Sequence, residues 1–173
     1  MYAAGYQTGN SSFSYASGIS ATGAASGVGN AVLVKYDGNG NAIWARSTTT
    51  APNQSAFYGL VIDTSGNIYA AGSQAQNGTF NYSAGVSAAG VETVGTNAVI
   101  VKYDATGAAI WAKSTTAGAG QTVFNALAVD NSGNLYAAGQ QFAGGSVNYS
   151  AGVAVTGAYN GGGYNSNVLL VKY

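Results

Sequence analysis

Residues 63–72 read Asp63-Thr64-Ser65-Gly66-Asn67-Ile68-Tyr69-Ala70-Ala71-Gly72, and the stretch returns as Asp130-Asn131-Ser132-Gly133-Asn134-Leu135-Tyr136-Ala137-Ala138-Gly139. The interval is 67 residues, and a further 67 residues upstream stands Tyr2-Ala3-Ala4-Gly5. Asp followed by a small polar pair and Gly is a hairpin turn: the carboxylate accepts from the turn's own backbone, and Gly supplies a positive φ. The segment after the turn is therefore a strand, and that strand recurs three times. A period of this length is the mark of a repeat architecture.

Working outward, each copy carries the same further pieces. Ala31-Val32-Leu33-Val34-Lys35-Tyr36-Asp37 returns as Ala98-Val99-Ile100-Val101-Lys102-Tyr103-Asp104, and Ala42-Ile43-Trp44-Ala45-Arg46-Ser47 as Ala109-Ile110-Trp111-Ala112-Lys113-Ser114. The first two copies align without a gap. The third ends at Val168-Leu169-Leu170-Val171-Lys172-Tyr173, which lies 70 residues beyond its counterpart, so three extra residues are assigned to Gly161-Gly162-Gly163. The chain is read as one domain over 1–173, with repeats 2–68 and 69–135 and a partial repeat 136–173.

A full unit reads as four strands. The first, Phe57 to Asp63, alternates apolar positions; the second runs from Ile68 to Ser73. A long polar connection from about Gln74 to Thr96 leads to the third, Ala98 to Tyr103, whose continuous apolar run suits a strand covered on both faces. Asp104-Ala105-Thr106-Gly107 turns into the fourth, Ala109 to Ser114. No segment has a helical period with caps. The expected fold is all-β: tandem four-stranded antiparallel blades of β-propeller type, about two and a half of them, with little or no helix.

The patterns Asp63 to Gly72, Asn97 to Asp104 and Gly107 to Lys113, with their counterparts in the other copies, resemble the SBBP-type β-propeller repeat of bacterial surface and secreted proteins. The resemblance covers nearly the whole chain. It implies an extracellular or cell-surface location and a non-catalytic interaction role, and it supplies no catalytic residues. Members of that family carry many repeats, and this chain carries fewer.

Composition excludes several function classes. Five Lys/Arg against five Asp/Glu give a formal charge of zero, so no basic stripe for nucleic acid exists. No apolar run approaches the ~20 residues of a membrane span, and membrane insertion is not expected. Without Cys or His there is no thiolate or imidazole ligand, and general acid–base work lacks its usual residue. Asp37, Asp63, Asp104 and Asp130 each open a repeat hairpin. Asp37-Gly38-Asn39-Gly40-Asn41 is the nearest approach to a calcium loop and lacks its further carboxylates. Glu92 alone stands outside the repeat scheme, on a polar loop where a solvated carboxylate is expected. No catalytic residue, metal or cofactor is assigned. Lys35, Lys102 and Lys172 share one repeat position and Arg46 and Lys113 another; these read as partners of the turn aspartates or as solvated charges.

Phase matters. In strand order the chain runs second-third-fourth, then a full set, then first-second-third: ten strands, too few to close a ring of about four blades. The backbone of Tyr2, Ala3, Ala4, Gly5 and Tyr6, and of Val168, Leu169, Leu170, Val171, Lys172 and Tyr173, is expected to lie unpaired at sheet edges. Self-association through these edges, into a filament or a multi-chain propeller, is the expected function, with copies of the chain as partner. The alternative is a lectin-like propeller binding glycans through Tyr15, Tyr82 and Tyr149, which lie in the related triplets Phe13-Ser14-Tyr15, Phe80-Asn81-Tyr82 and Val147-Asn148-Tyr149. A third reading is an excised or engineered propeller fragment, since Met1 leads straight into repeat sequence with no signal peptide in this chain.

Overall fold

The computed structural model describes residues 1–142, 144–159 and 165–173. Among these every regular element is a strand, sixteen in all. The sheets form around the repeat. β6 (Ser55–Ile62), β7 (Ile68–Ala75), β10 (Thr96–Tyr103) and β11 (Ala109–Ser114) make a four-stranded antiparallel sheet in the order β11-β10-β7-β6. Before it stands a three-stranded sheet of β1 (Tyr2–Thr8), β4 (Gly29–Tyr36) and β5 (Ala42–Ser47), and after it one of β12 (Thr122–Val129), β13 (Leu135–Gln141) and β16 (Asn167–Lys172). Among the described residues the first sheet has no strand placed as β6 is beside β7, and the last has none placed as β11 is beside β10. β1 and β16 are accordingly outer strands.

The connection from Gln74 to Thr96 is a correction to the sequence reading. It is not a polar linker but a second hairpin, β8 (Gly78–Ser83) with β9 (Val86–Gly90). Its counterparts are β2 (Ser12–Ala16) with β3 (Ile19–Thr22) and β14 (Gly145–Ser150) with β15 (Val153–Gly157). Each turns through a glycine at positive φ (Gly18, Gly85 and Gly152, at 75°, 77° and 74°). The three extra residues assigned to Gly161–Gly163 lie outside the described residues.

The sheets stack face to face. One core cluster joins Ala31, Leu33 and Trp44 of the first sheet to Ile68, Ala70, Val99, Val101 and Tyr103 of the second. The next joins Tyr69, Ala71, Ala98 and Ile100, on the second sheet's other face, to Leu135, Ala137, Leu169 and Val171 of the third. β10 is thus buried on both faces, as its continuous apolar run requires. The leading strand carries a bulge, with the register shifting between Phe57 and Gly59 and again between Phe124 and Ala126. The bulge sits opposite Gly72 and Gly139. A Cβ there would lie 1.9 Å from the carbonyl oxygen of Ala56 or of Val123.

Candidate functional site

The turn carboxylates behave as their positions suggest. Asp63 Oδ1 accepts from the backbone N–H of Ser65 and Asn67, and Oδ2 accepts from Asn67 Nδ2 and the Tyr69 hydroxyl. Asp130 repeats the set with Ser132, Asn134 and Tyr136. Gly40, Gly66, Gly107 and Gly133 all sit at φ between 82° and 85°, the position where a side chain would be strained. The amide of Asn41 holds Asp37 below the usual carboxylate range, Thr106 does so for Asp104, and Asn134 for Asp130. At Asp63 burial works the other way, but the bonds from Asn67, Tyr69 and Ser65 outweigh it.

Glu92 is not simply solvated. It takes the backbone N–H of Gly120, on the connection between β11 and β12, and those of Thr93 and Val94, which lowers its pKa, the Gly120 bond first. It pins the loop after β9 to the connection that leads from the second sheet to the third. All five acids therefore ionise more readily folded than unfolded. Their contribution to stability is complete above the ordinary carboxylate range of about 4 and is lost as pH falls through the lower folded values. With no His, no side chain titrates ordinarily near neutrality. Thermal melting is expected to be flat from about pH 5 to 8 and to fall steadily below about pH 4; an unchanged midpoint down to pH 2.5 would contradict this.

The cations sit over rings and against carbonyls. Lys35, Lys102 and Lys172 lie over Tyr2, Tyr69 and Tyr136 at 5.6, 5.1 and 5.5 Å. Arg46 and Lys113 lie over Trp44 and Trp111 at 5.3 and 5.6 Å. Arg46 also donates to the carbonyls of Gly107 and Thr106, while Trp44 Nε1 and Lys35 donate to that of Ala105. The Asp104 turn of the second repeat is thus clamped onto the first.

The tyrosines offered as sugar platforms are placed inside. Tyr82 and Tyr149 are buried, their hydroxyls donating to the equally buried Gln74 and Gln141. Their rings pack on Phe57 and Phe124 at 6.0 and 5.7 Å. These two serve to hold each hairpin on its sheet, which corrects their reading as ligand aromatics. Tyr15 donates to Gln7 in the same way but stays partly open.

Sequence reasoning missed the amide hub. Asn97 is fully buried: Oδ1 accepts from the N–H groups of Val91 and Glu92 and from the Thr115 hydroxyl, and Nδ2 donates to the Gln76 carbonyl. Asn30 does the same for its own loop through Ala24, Ala25 and Gly9. The recurring Asn ahead of the apolar strand was the signal available.

Two equivalent clefts run between successive repeats, of about 600 and 520 Å³. The first is bordered by Ala21, Arg46, Thr49 and Tyr82, and the second by Ala88, Lys113, Thr116 and Tyr149. Next in sequence to their lining residues Thr49, Tyr82, Thr116 and Tyr149 stand the inter-repeat backbone pairs, Thr50 with Asn81 and Ala117 with Asn148. Among the described residues no three His, Cys, Asp or Glu side chains gather as a metal site would need. Compared with known proteins, the chain matches no family model and no curated protein.

Proposed function

We propose that the chain is a non-catalytic scaffold whose sheets act as β-propeller-type blades of SBBP kind, displayed outside the cell, and that it associates with copies of itself by continuing its own stack. One observation carries this reading. Val168 and Leu170 on the outer face of the last sheet are 91% and 64% exposed, while their repeat counterparts Ala98 and Ile100, at 1% and 0%, are covered by the next sheet. The opposite end offers the matching surface. Ala3 and Tyr36 on the outer face of the first sheet are open or partly open, whereas their counterparts Ala70 and Tyr103 are buried under a neighbouring sheet. Two exposed large apolar side chains on one small face favour burial by a partner. Because the two ends differ, the contact is head-to-tail, and it gives a ring or a filament according to the rotation between copies.

The test is light scattering after size exclusion across a concentration series. The wild type is expected to grow in mass with concentration, and the Val168→Lys/Leu170→Lys double variant to remain a monomer with an unchanged melting midpoint. A wild type that stays monomeric at about 100 μM, or a double variant that assembles equally, would overturn the reading.

A further inference from the structure

We infer that the first sheet carries a strand-acceptor groove along the outer edge of β1, shaped for a peptide strand with the chemistry of β6 and β12: a small hydroxyl residue, Ala or Val, Phe, any residue, then a small residue. The inference deepens the assembly reading but stands on different residues.

Three features specify the occupant. The first is Gly5. Its counterparts Gly72 and Gly139 are crowded by the bulge of a leading strand, with Ala56 O or Val123 O filling the place of a Cβ. At Gly5 nothing lies within 4 Å of that place, and its φ is not in the left-handed region.

The second feature is aromatic. In the second and third sheets a Phe of the leading strand lies between two tyrosines. Phe57 packs on Tyr82 and meets Tyr103 edge-on at 6.4 Å and 85°, and Phe124 does the same with Tyr149 and Tyr173. The counterparts in the first sheet are Tyr15 and Tyr36, both packed against the Val32–Val34 cluster and both only partly buried. They form the same socket with its centre empty of Phe.

The third is the edge itself. β1 pairs with β4 on one side, from Tyr2↔Lys35 to Thr8↔Gly29, and it is an outer strand on the other. β7, its counterpart, pairs with β10 on one side and β6 on the other. By that register an added strand sets its Phe opposite Gly5 and its second residue after Phe opposite Ala4. Main-chain bonds then supply affinity, and the Phe socket and the glycine notch supply selectivity.

The test uses a fluorescein-labelled peptide of residues 53–64 and the non-stacking Val168→Lys/Leu170→Lys chain, so that failure of assembly and failure of strand capture read separately. Fluorescence anisotropy is expected to show saturable micromolar binding. A Phe57→Ala peptide should bind at least about ten-fold more weakly. Gly5→Val in the acceptor should weaken the parent peptide by at least about ten-fold without lowering the melting midpoint, because valine suits a strand and meets nothing in the empty groove. No saturation by the parent peptide, or equal binding by the Phe57→Ala peptide or by the Gly5→Val chain, would overturn the inference.

Discussion

Asn97→Ala is expected to lower stability by about 3–5 kcal/mol, because it strips partners from several buried backbone and hydroxyl groups at once. The side chain holds four groups, the N–H of Val91 and of Glu92, the Thr115 hydroxyl and the Gln76 carbonyl, in a place closed to water. Each orphaned group costs about 1–3 kcal/mol, and relaxation keeps the total below the simple sum. The loop from Val91 to Gly95 would also lose its anchor, and with it the Glu92 clasp on Gly120. Urea unfolding followed by circular dichroism measures the loss. Asn39→Ala, at an exposed turn position whose contact to Asp37 runs through its backbone N–H, is the control and is expected to stay within about 0.5 kcal/mol. A loss below about 1 kcal/mol at Asn97 would show that the hub is dispensable.

The second large effect separates three glycines that the sequence presents as equals. Gly72→Ala and Gly139→Ala are each expected to cost about 3 kcal/mol or more, since the added methyl meets a carbonyl oxygen and a Cα of the bulged leading strand, which are backbone atoms that cannot swing aside. Gly5→Ala is expected to change stability by less than about 1 kcal/mol, toward stabilisation, because it narrows the unfolded ensemble and meets nothing when folded. Thermal melts of the three variants decide this. Equal tolerance at all three would mean that the leading strands do not bulge against β7 and β13.

Much of the architecture was legible because its causes are local. The Asp-x-x-Gly turns announce themselves: carboxylate, backbone donors and a positive-φ glycine lie within five residues. The four sheet strands of the repeat come from those turns and from apolar patterning, and the phase of the copies came from counting. The inserted hairpins were not legible. β8 and β9 are short and made largely of Ser, Thr, Asn, Ala and Gly, so their alternation is faint, and Phe80 and Tyr82 mark a face only once the sheet beneath them is known. Tyr82 could equally have been a surface platform. Its burial depends on Phe57, which lies 25 positions away and comes close only in the fold.

By itself, then, the sequence determined the repeat, the strands of its main sheets and the Asp-x-x-Gly turns, since each rests on residues that are neighbours along the chain. Only the tertiary structure decided which equivalent positions differ. Ile100 and Leu170 occupy one site of the repeat, as do Gly72 and Gly5, yet one of each pair is enclosed and the other open. The physical reason is that burial and crowding belong to the neighbouring sheet or strand, not to the residue. At Gly5 and Leu170, where no neighbouring strand or sheet lies alongside, the same chemistry that closes the interior faces outward.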